Sequence, residues 1–207
     1  VSTAEELMAR AAAFHGHACP GLAIGVRAVE RAAAELGLEV SAGRDRARDE
    51  ELVAVVETDM CAVDAIQALL GCTFGKGNLI HRDLGKAAFG FHRRSDGRGL
   101  RLLFRPPSDP HQAERDALRR KSQGPGLDGQ DRQRSQALRD ERMRALLEHP
   151  LEELFELQPL PGPPPARARL LDSVPCEACG ETVMETRARL FFGQTLCLPC
   201  FEARERR

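Results

Sequence analysis

Four cysteines near the end of the chain, in the run CEACGETVMETRARLFFGQTLCLPC, constrain its folding more than any other feature. Cys176 and Cys179 make one C-x-x-C knuckle and Cys197 and Cys200 a second, with seventeen residues between them. Two tight knuckles at that spacing deliver four thiolates to one tetrahedral ion while the intervening hairpin closes the loop. A segment of about 30 residues buries too little apolar surface to fold unaided, so the ion must supply the missing stability. The expected element is a small zinc-ribbon or treble-clef-like domain over residues 169–207 with structural zinc as its cofactor. A pair of redox dithiols and a rubredoxin-like iron site are the alternatives. Arg187, Arg189, Arg204, Arg206 and Arg207 accompany the cysteines. Charge runs at a chain end are usually solvated, so packing or dimerisation is the expected role of the ribbon and nucleic acid is not an expected partner.

The other three cysteines, Cys19, Cys61 and Cys72, lie upstream, and an odd total of seven reads as metal ligands and buried thiols ahead of disulfides. No stretch approaches the roughly 18 apolar residues that span a bilayer, so no membrane is expected and a cytoplasmic location is. Thirty basic against 31 acidic side chains create no global field for nucleic acid or an anionic surface. Nine Phe with neither Trp nor Tyr leave few platforms on which bases could stack.

The upstream part reads as an α+β core with a mixed sheet. Thr3-Ala-Glu-Glu6 fits a capping box for a short amphipathic helix ending near Phe14. After Pro20, apolar residues at Leu22, Val26, Val29, Ala33 and Leu36 keep a helical period that Gly37 stops. A charged loop over 41–51 precedes the β-branched run LVAVVE at 52–57, expected as a buried strand, and a helix over 60–70 follows at once. LIHRD, KAAFGFHRR and LRLLFR supply three further strands, the last two joined by the Asp-Gly hairpin signal in SDGRG. The expected order in the core, residues 1–106, is helix, strand, helix and three strands. Residues 107–168 read as a helical linker: two exposed helices broken at QGPGLDGQ, a thin stripe of Leu138, Met143, Leu146 and Leu147 continued by LEELFEL, then the proline-rich spacer QPLPGPPPARA.

The core carries a second candidate metal site. In FHGHACPG, residues 14–21, His17 and Cys19 stand one residue apart beside Gly16 and Pro20-Gly21, which permit a sharp turn. Cys61 opens the helix after the buried strand, where the helix N-terminus should lower its thiol pKa and suit it as the third ligand. In an extended segment His15 and His17 would share a side, one ligating and the other orienting it or facing a substrate. Taken singly, Cys19 and Cys61 are as well described as small buried apolar residues and His17 as a turn residue. Taken with Asp59, Asp64 and Cys72 nearby, they favour a metal site of His17, Cys19 and Cys61, with His15 and Asp64 as candidate catalytic bases. GCTFGKGN lacks the G-x4-G-K-[ST] spacing of a nucleotide-phosphate loop. Lys76 in that loop, with Cys72, is a candidate contact to a small anion or acidic cofactor group.

These motifs are shared with a known family. FHGHACPGLAIGVRA, ETDMCAVDAIQALLGCTFGKGNLIHRDLGKAAFGF and the terminal CEAC…CLPC ribbon together resemble the family of the formylmethanofuran dehydrogenase E subunit over nearly the whole chain. The resemblance implies a mixed-sheet core likened to the catalytic domain of glyceraldehyde-3-phosphate dehydrogenase, and homodimers whose helical linkers and ribbons reach across to the partner. His17, Cys19 and Cys61 match the family's metal-binding positions, with His15 next in line, and Asp59, Asp64, Cys72, Lys76 and Asp83 match motif positions without an assigned role. Leu84 stands where the family pattern has Tyr, removing any phenolic hydroxyl there. The function implied is a metal-binding accessory protein linked to molybdenum or tungsten enzymes, whose subunits would be its partners. A second transition-metal ion, expected to be zinc, would sit in the core domain. The alternatives are a metal-dependent enzyme working through an open His/Cys/Cys position and a zinc-ribbon regulator that binds nucleic acid.

Overall fold

The computed structural model describes residues 2–40, 50–160 and 162–205, so most of the expected charged loop, and Arg206 and Arg207, lie outside the described residues. Two compact units are present, residues 1–167 and 168–207.

In the first unit, α1 (Ala4–His15) starts at the capping box formed by Thr3 and Glu6 and ends at Gly16, whose φ of +92° is a left-handed conformation that glycine adopts without strain. Helix α2 (Pro20–Leu36) buries Leu22, Ala23, Val26, Val29 and Leu36 on one face. Strand β1 (Leu52–Val56) is buried on both sides, as a continuous β-branched run requires. It leads into α3 (Ala62–Leu70), β2 (Leu79–His81), β3 (Ala88–Arg93) and β4 (Gly99–Phe104). The sheet order is β2-β1-β3-β4-β5, with β1 and β2 parallel and the remaining pairs antiparallel, so the fold is α+β with a mixed sheet. Phe89, Phe91 and Leu102 fill its core with no exposed surface, packed with Leu22, Val26, Ile66 and Leu69 of the helices. Burying a side chain of this size stabilises the fold by roughly 1.5–3 kcal/mol.

The segment expected to be a linker is built into this unit. Helices α4 (Gln112–Gln123) and α5 (Gly129–Glu148) form an antiparallel pair, and α5 buries Leu138 and Leu146 while Met143 and Leu147 pack against the core. Arg27 on α2, itself buried, donates to the His149 carbonyl at 2.6 Å and pairs with Glu30 at 2.7 Å, pinning the end of α5 to α2. The run LEELFEL does not continue that helix. After one turn, α6 (Leu151–Leu154), it becomes strand β5 (Phe155–Pro159), with Phe155 opposite Phe104 and Leu157 opposite Leu102. The free edge of β4 offers five backbone partners, and that pairing outweighs the local helical pattern.

The second unit holds two small hairpins, β6 (Ser173–Pro175) with β7 (Thr182–Met184) and β8 (Ala188–Phe191) with β9 (Gln194–Cys197), followed by α7 (Leu198–Arg204). Among the described residues its buried core is confined to Cys176, Leu196 and Cys197, with Val183, Phe191, Cys200 and Phe201 partly buried around them.

Candidate metal centre

Two glycines on α2 decide how the core site forms. A Cβ added at Gly25 would stand 2.2 Å from the Ala62 carbonyl oxygen, and one at Gly21 would stand 3.2 Å from Cys61 Cβ and 3.6 Å from Cys61 Sγ. Glycine at these two positions, one helical turn apart on one face, lets the start of α3 seat directly on α2. The sequence reading missed this pair, although Gly at i and i+4 inside an apolar helical face was its visible signal. Cys19 is the N-cap of α2, where its sulfur accepts the Leu22 amide at 3.3 Å, and Cys61 is the N-cap of α3. The close approach of the two helix starts therefore brings the two thiols together.

The imidazole that joins them belongs to His15. One of its ring nitrogens and the sulfurs of Cys19 and Cys61 lie within 4.8 Å of one another. Nδ1 of His15 is 2.6 Å from Asp64 Oδ2, and the other oxygen of Asp64 accepts from Gln67 Nε2 at 3.0 Å. Nε2 is buried and has no hydrogen-bond partner. A carboxylate on Nδ1 fixes the tautomer with its proton there and leaves the Nε2 lone pair for a cation. One imidazole nitrogen and two thiolates suit a borderline-soft ion of the zinc class, and three protein donors leave a fourth position of a tetrahedral ion for another ligand.

The geometry groups His15 rather than His17 with the two thiols. His17, expected as the ligand, is exposed and lies outside the group of three, with its ring 4.5 Å from that of His15 between centroids. The strand-like alternation assumed for this segment does not apply, because His15 is the last residue of α1 and Gly16 turns the chain left-handed before His17. Of His15 and Asp64, expected as bases, His15 stands among the three convergent donors and Asp64 contacts its Nδ1 at 2.6 Å. The pKa of Cys61 also moves opposite to expectation: burial pushes it up, the neighbouring Cys19 adds to the effect, and the helix start does not offset them. A bound cation reverses that balance by stabilising the thiolate, so metal uptake would release a proton here.

Cys72 and Lys76 do not join the centre. Cys72 is fully buried, directs its sulfur at the Leu52 carbonyl at 3.5 Å, and has its thiol pushed up to about 12 by burial. Leu52 begins β1 and Cys61 follows its end, so the two thiols belong to opposite ends of that strand. Lys76 is exposed in the turn over 74–77. Asp59 and Asp83 are exposed and are neither among the three convergent donors nor in the wall of the adjoining cleft.

That cleft has a volume of about 700 Å³. His17, Cys19 and Cys61 line one side, and α4 and α5 form the other with Arg115, Arg119, Arg139 and Arg142. Reading α4 and α5 as a linker concealed their contribution to the site.

In the second unit the sulfurs of Cys176, Cys179, Cys197 and Cys200 lie within 4.8 Å of one another. The Cys197 amide reaches Cys176 Sγ at 3.3 Å, and backbone amides, that of Cys197 foremost, bring the Cys176 thiol down to about 6. The adjacent Cys197 sulfur and burial push Cys200 up to about 12. Four sulfurs so close ionise together only around a cation, and a tetrahedral thiolate-binding ion fits them.

Comparison with known proteins agrees with this division. Residues 14–156 match the family described as FmdE, molybdenum formylmethanofuran dehydrogenase operon. Residues 166–206 match the prokaryotic dksA/traR C4-type zinc finger. The chain is 34% identical over 202 residues to a protein of Archaeoglobus fulgidus named as a probable S-adenosyl-L-methionine-binding protein, covering 94% of this chain and 52% of that protein. It thus spans about half the length of that relative. The crystal structure of an FmdE-like protein of the tungsten formylmethanofuran dehydrogenase type, from Syntrophus aciditrophicus, superposes with a TM-score of 0.61 at 24% identity, covering 99% of this chain and 95% of the other, which shows a common fold. Among the described residues no helix is long and apolar enough to cross a membrane.

Proposed function

The chain belongs to the FmdE family and carries a C4-type zinc finger, and on that premise we propose that its core is a transition-metal centre held by His15, Cys19 and Cys61 and open to a ligand from the cleft. The observation that carries this reading is the buried, unpartnered Nε2 of His15, braced through Nδ1 by Asp64 and grouped with two thiols. A burial of that kind is unfavourable for an imidazole nitrogen unless something accepts its lone pair. A zinc-class ion there supplies Lewis acidity and an anchor for one donor atom of the ligand. The protein's part is to hold the Nδ1 proton of His15 on Asp64, to wall the cleft with α4 and α5, and to offer exposed His17 as the group that exchanges a proton with the ligand.

The wider role we propose is that of a homodimeric metal-binding accessory protein associated with molybdenum or tungsten enzymes. The description of the matched family and the name of the structural neighbour support that association. The name of the Archaeoglobus relative supports a cleft that takes a small molecule. A second reading, a metal-dependent enzyme, is favoured by the openness of the site: an ion with a purely structural role is closed by a fourth protein ligand, whereas this one faces a cleft with a histidine at its edge.

Metal analysis of the purified chain tests the proposal. Two ions per protomer are expected, one firmly held by the zinc finger and one more readily exchanged with chelator. Cys61→Ser should retain only the first. Two tightly held ions in that variant would overturn the assignment.

A further inference from the structure

The wall opposite the metal centre has an excess of positive charge that nothing among the described residues neutralises. Of its four guanidinium groups, Arg115 is committed to structure: it pairs with Asp109 at 2.7 Å and donates to the Leu138 carbonyl. Arg119, itself exposed, meets only Asp116, on its own helix, at 3.2 Å. Arg142 reaches the Pro107 carbonyl at 3.4 Å and has no carboxylate within ion-pair distance among the described residues. Arg139 makes no side-chain hydrogen bond or ion pair among the described residues. Asp109 is the only carboxylate among the residues lining the cleft, and Arg115 already occupies it. Two thiolates on a divalent ion cancel its charge, so the metal side does not absorb the surplus.

Away from the cleft, some of the cations on α4 and α5 do find acids. Arg134 grips Glu114 through two nitrogens at 2.7 and 2.8 Å, and Lys121 pairs with Asp131. What sets Arg119, Arg139 and Arg142 apart is that all three line one cleft. A guanidinium fork matches the oxygens of a carboxylate or phosphate, and facing side chains in a cleft strengthen that attraction by excluding part of the water.

We propose that Arg139 and Arg142, with Arg119 at the rim, are the anion-binding half of the cleft, and that the ligand is a small molecule bearing a carboxylate or phosphate which these groups hold while another of its atoms faces the metal centre. The part of this statement that concerns the metal rests on the reading given above; the anion half stands on the arginines alone. A cleft of about 700 Å³ accommodates a molecule of cofactor or nucleotide size.

Calorimetric titration of the full zinc-loaded chain with inorganic phosphate and, separately, with succinate tests the inference and distinguishes the two oxyanions. At least one should bind, more weakly as ionic strength rises. The double variant Arg139→Ala with Arg142→Ala should lose about tenfold or more in affinity, and the corresponding double lysine variant should recover only part of it, since charge returns without the fork. Its zinc content should stay at two per protomer. No binding of either anion to the natural chain, or undiminished binding by the double alanine variant, would overturn the proposal. Arginine-dependent anion binding in a chain with only one zinc would instead refute the metal-centre reading and leave the anion site standing.

Discussion

Cys176→Ser should empty the zinc finger and unfold residues 168–207 while the first unit keeps its structure. The second unit has almost no apolar core: among the described residues the buried ones are Cys176, Leu196 and Cys197, and two of these three are proposed ligands. Aromatic packing adds an edge-on contact between Phe191 and Phe201 at 5.5 Å, worth about 1 kcal/mol. A structural zinc contributes roughly 10–16 kcal/mol in modules of this size, far beyond what those contacts supply. Loss of one thiolate therefore removes most of the driving force for folding the unit. Limited proteolysis should show cleavage confined to the segment beyond residue 168, together with loss of one zinc per protomer. A protected C-terminal unit in the metal-free variant would show that its fold stands without the ion.

Gly25→Val should strongly destabilise the first unit. Its Cβ would stand 2.2 Å from the Ala62 oxygen, 2.7 Å from Ala62 Cα and 2.8 Å from its carbonyl carbon. All three are backbone atoms, so no side-chain rotation relieves the clash and α3 must move away from α2. Overpacking of this kind costs about 3 kcal/mol or more when backbone has to shift. Because Cys61 immediately precedes Ala62, the displacement also carries one thiol out of the group with Cys19 and His15. The variant should melt at lower temperature and lose the exchangeable ion selectively, keeping the zinc of the finger. A melting temperature and metal content like those of the natural chain would mean that the two helices do not pack as described.

Local signals made much of this fold legible. The apolar period of α2, its proline start and its glycine stop, and the unbroken β-branched run of β1 each follow from chemistry within a few residues. What escaped was non-local. LEELFEL satisfies a helical pattern, and only the exposed edge of β4, some fifty residues earlier in the chain, makes its second half a strand. Helix α4 buries no residue and α5 few, so their sequence reads as a solvated linker; α5 docks through Leu146, Met143 and Leu147 and through Arg27, which reaches its end across 122 residues.

The candidate site shows the same division. Residue types pointed to thiol and imidazole chemistry around 14–21 and 61, but the choice between His15 and His17 turned on whether α1 extends through His15. Asp64 was visible as an acid near Cys61, yet its role as the brace for His15 depends on a contact between helices 49 residues apart in sequence. Cys72 sits in a glycine-rich loop that suggests accessibility, and the packing beneath β1 buries it completely.

The central claim is that His15 Nε2, Cys19 Sγ and Cys61 Sγ share one ion that keeps a position free on the cleft side. Anomalous diffraction from crystals of the full chain, recorded on both sides of the zinc absorption edge, tests this most directly. The account predicts two peaks per protomer: one amid the four sulfurs of the finger, and one about 2.0–2.3 Å from those three core atoms with no fourth protein ligand. A core peak on His17 in place of His15, a site closed by a fourth side chain, or no core peak in zinc-equilibrated crystals would contradict it.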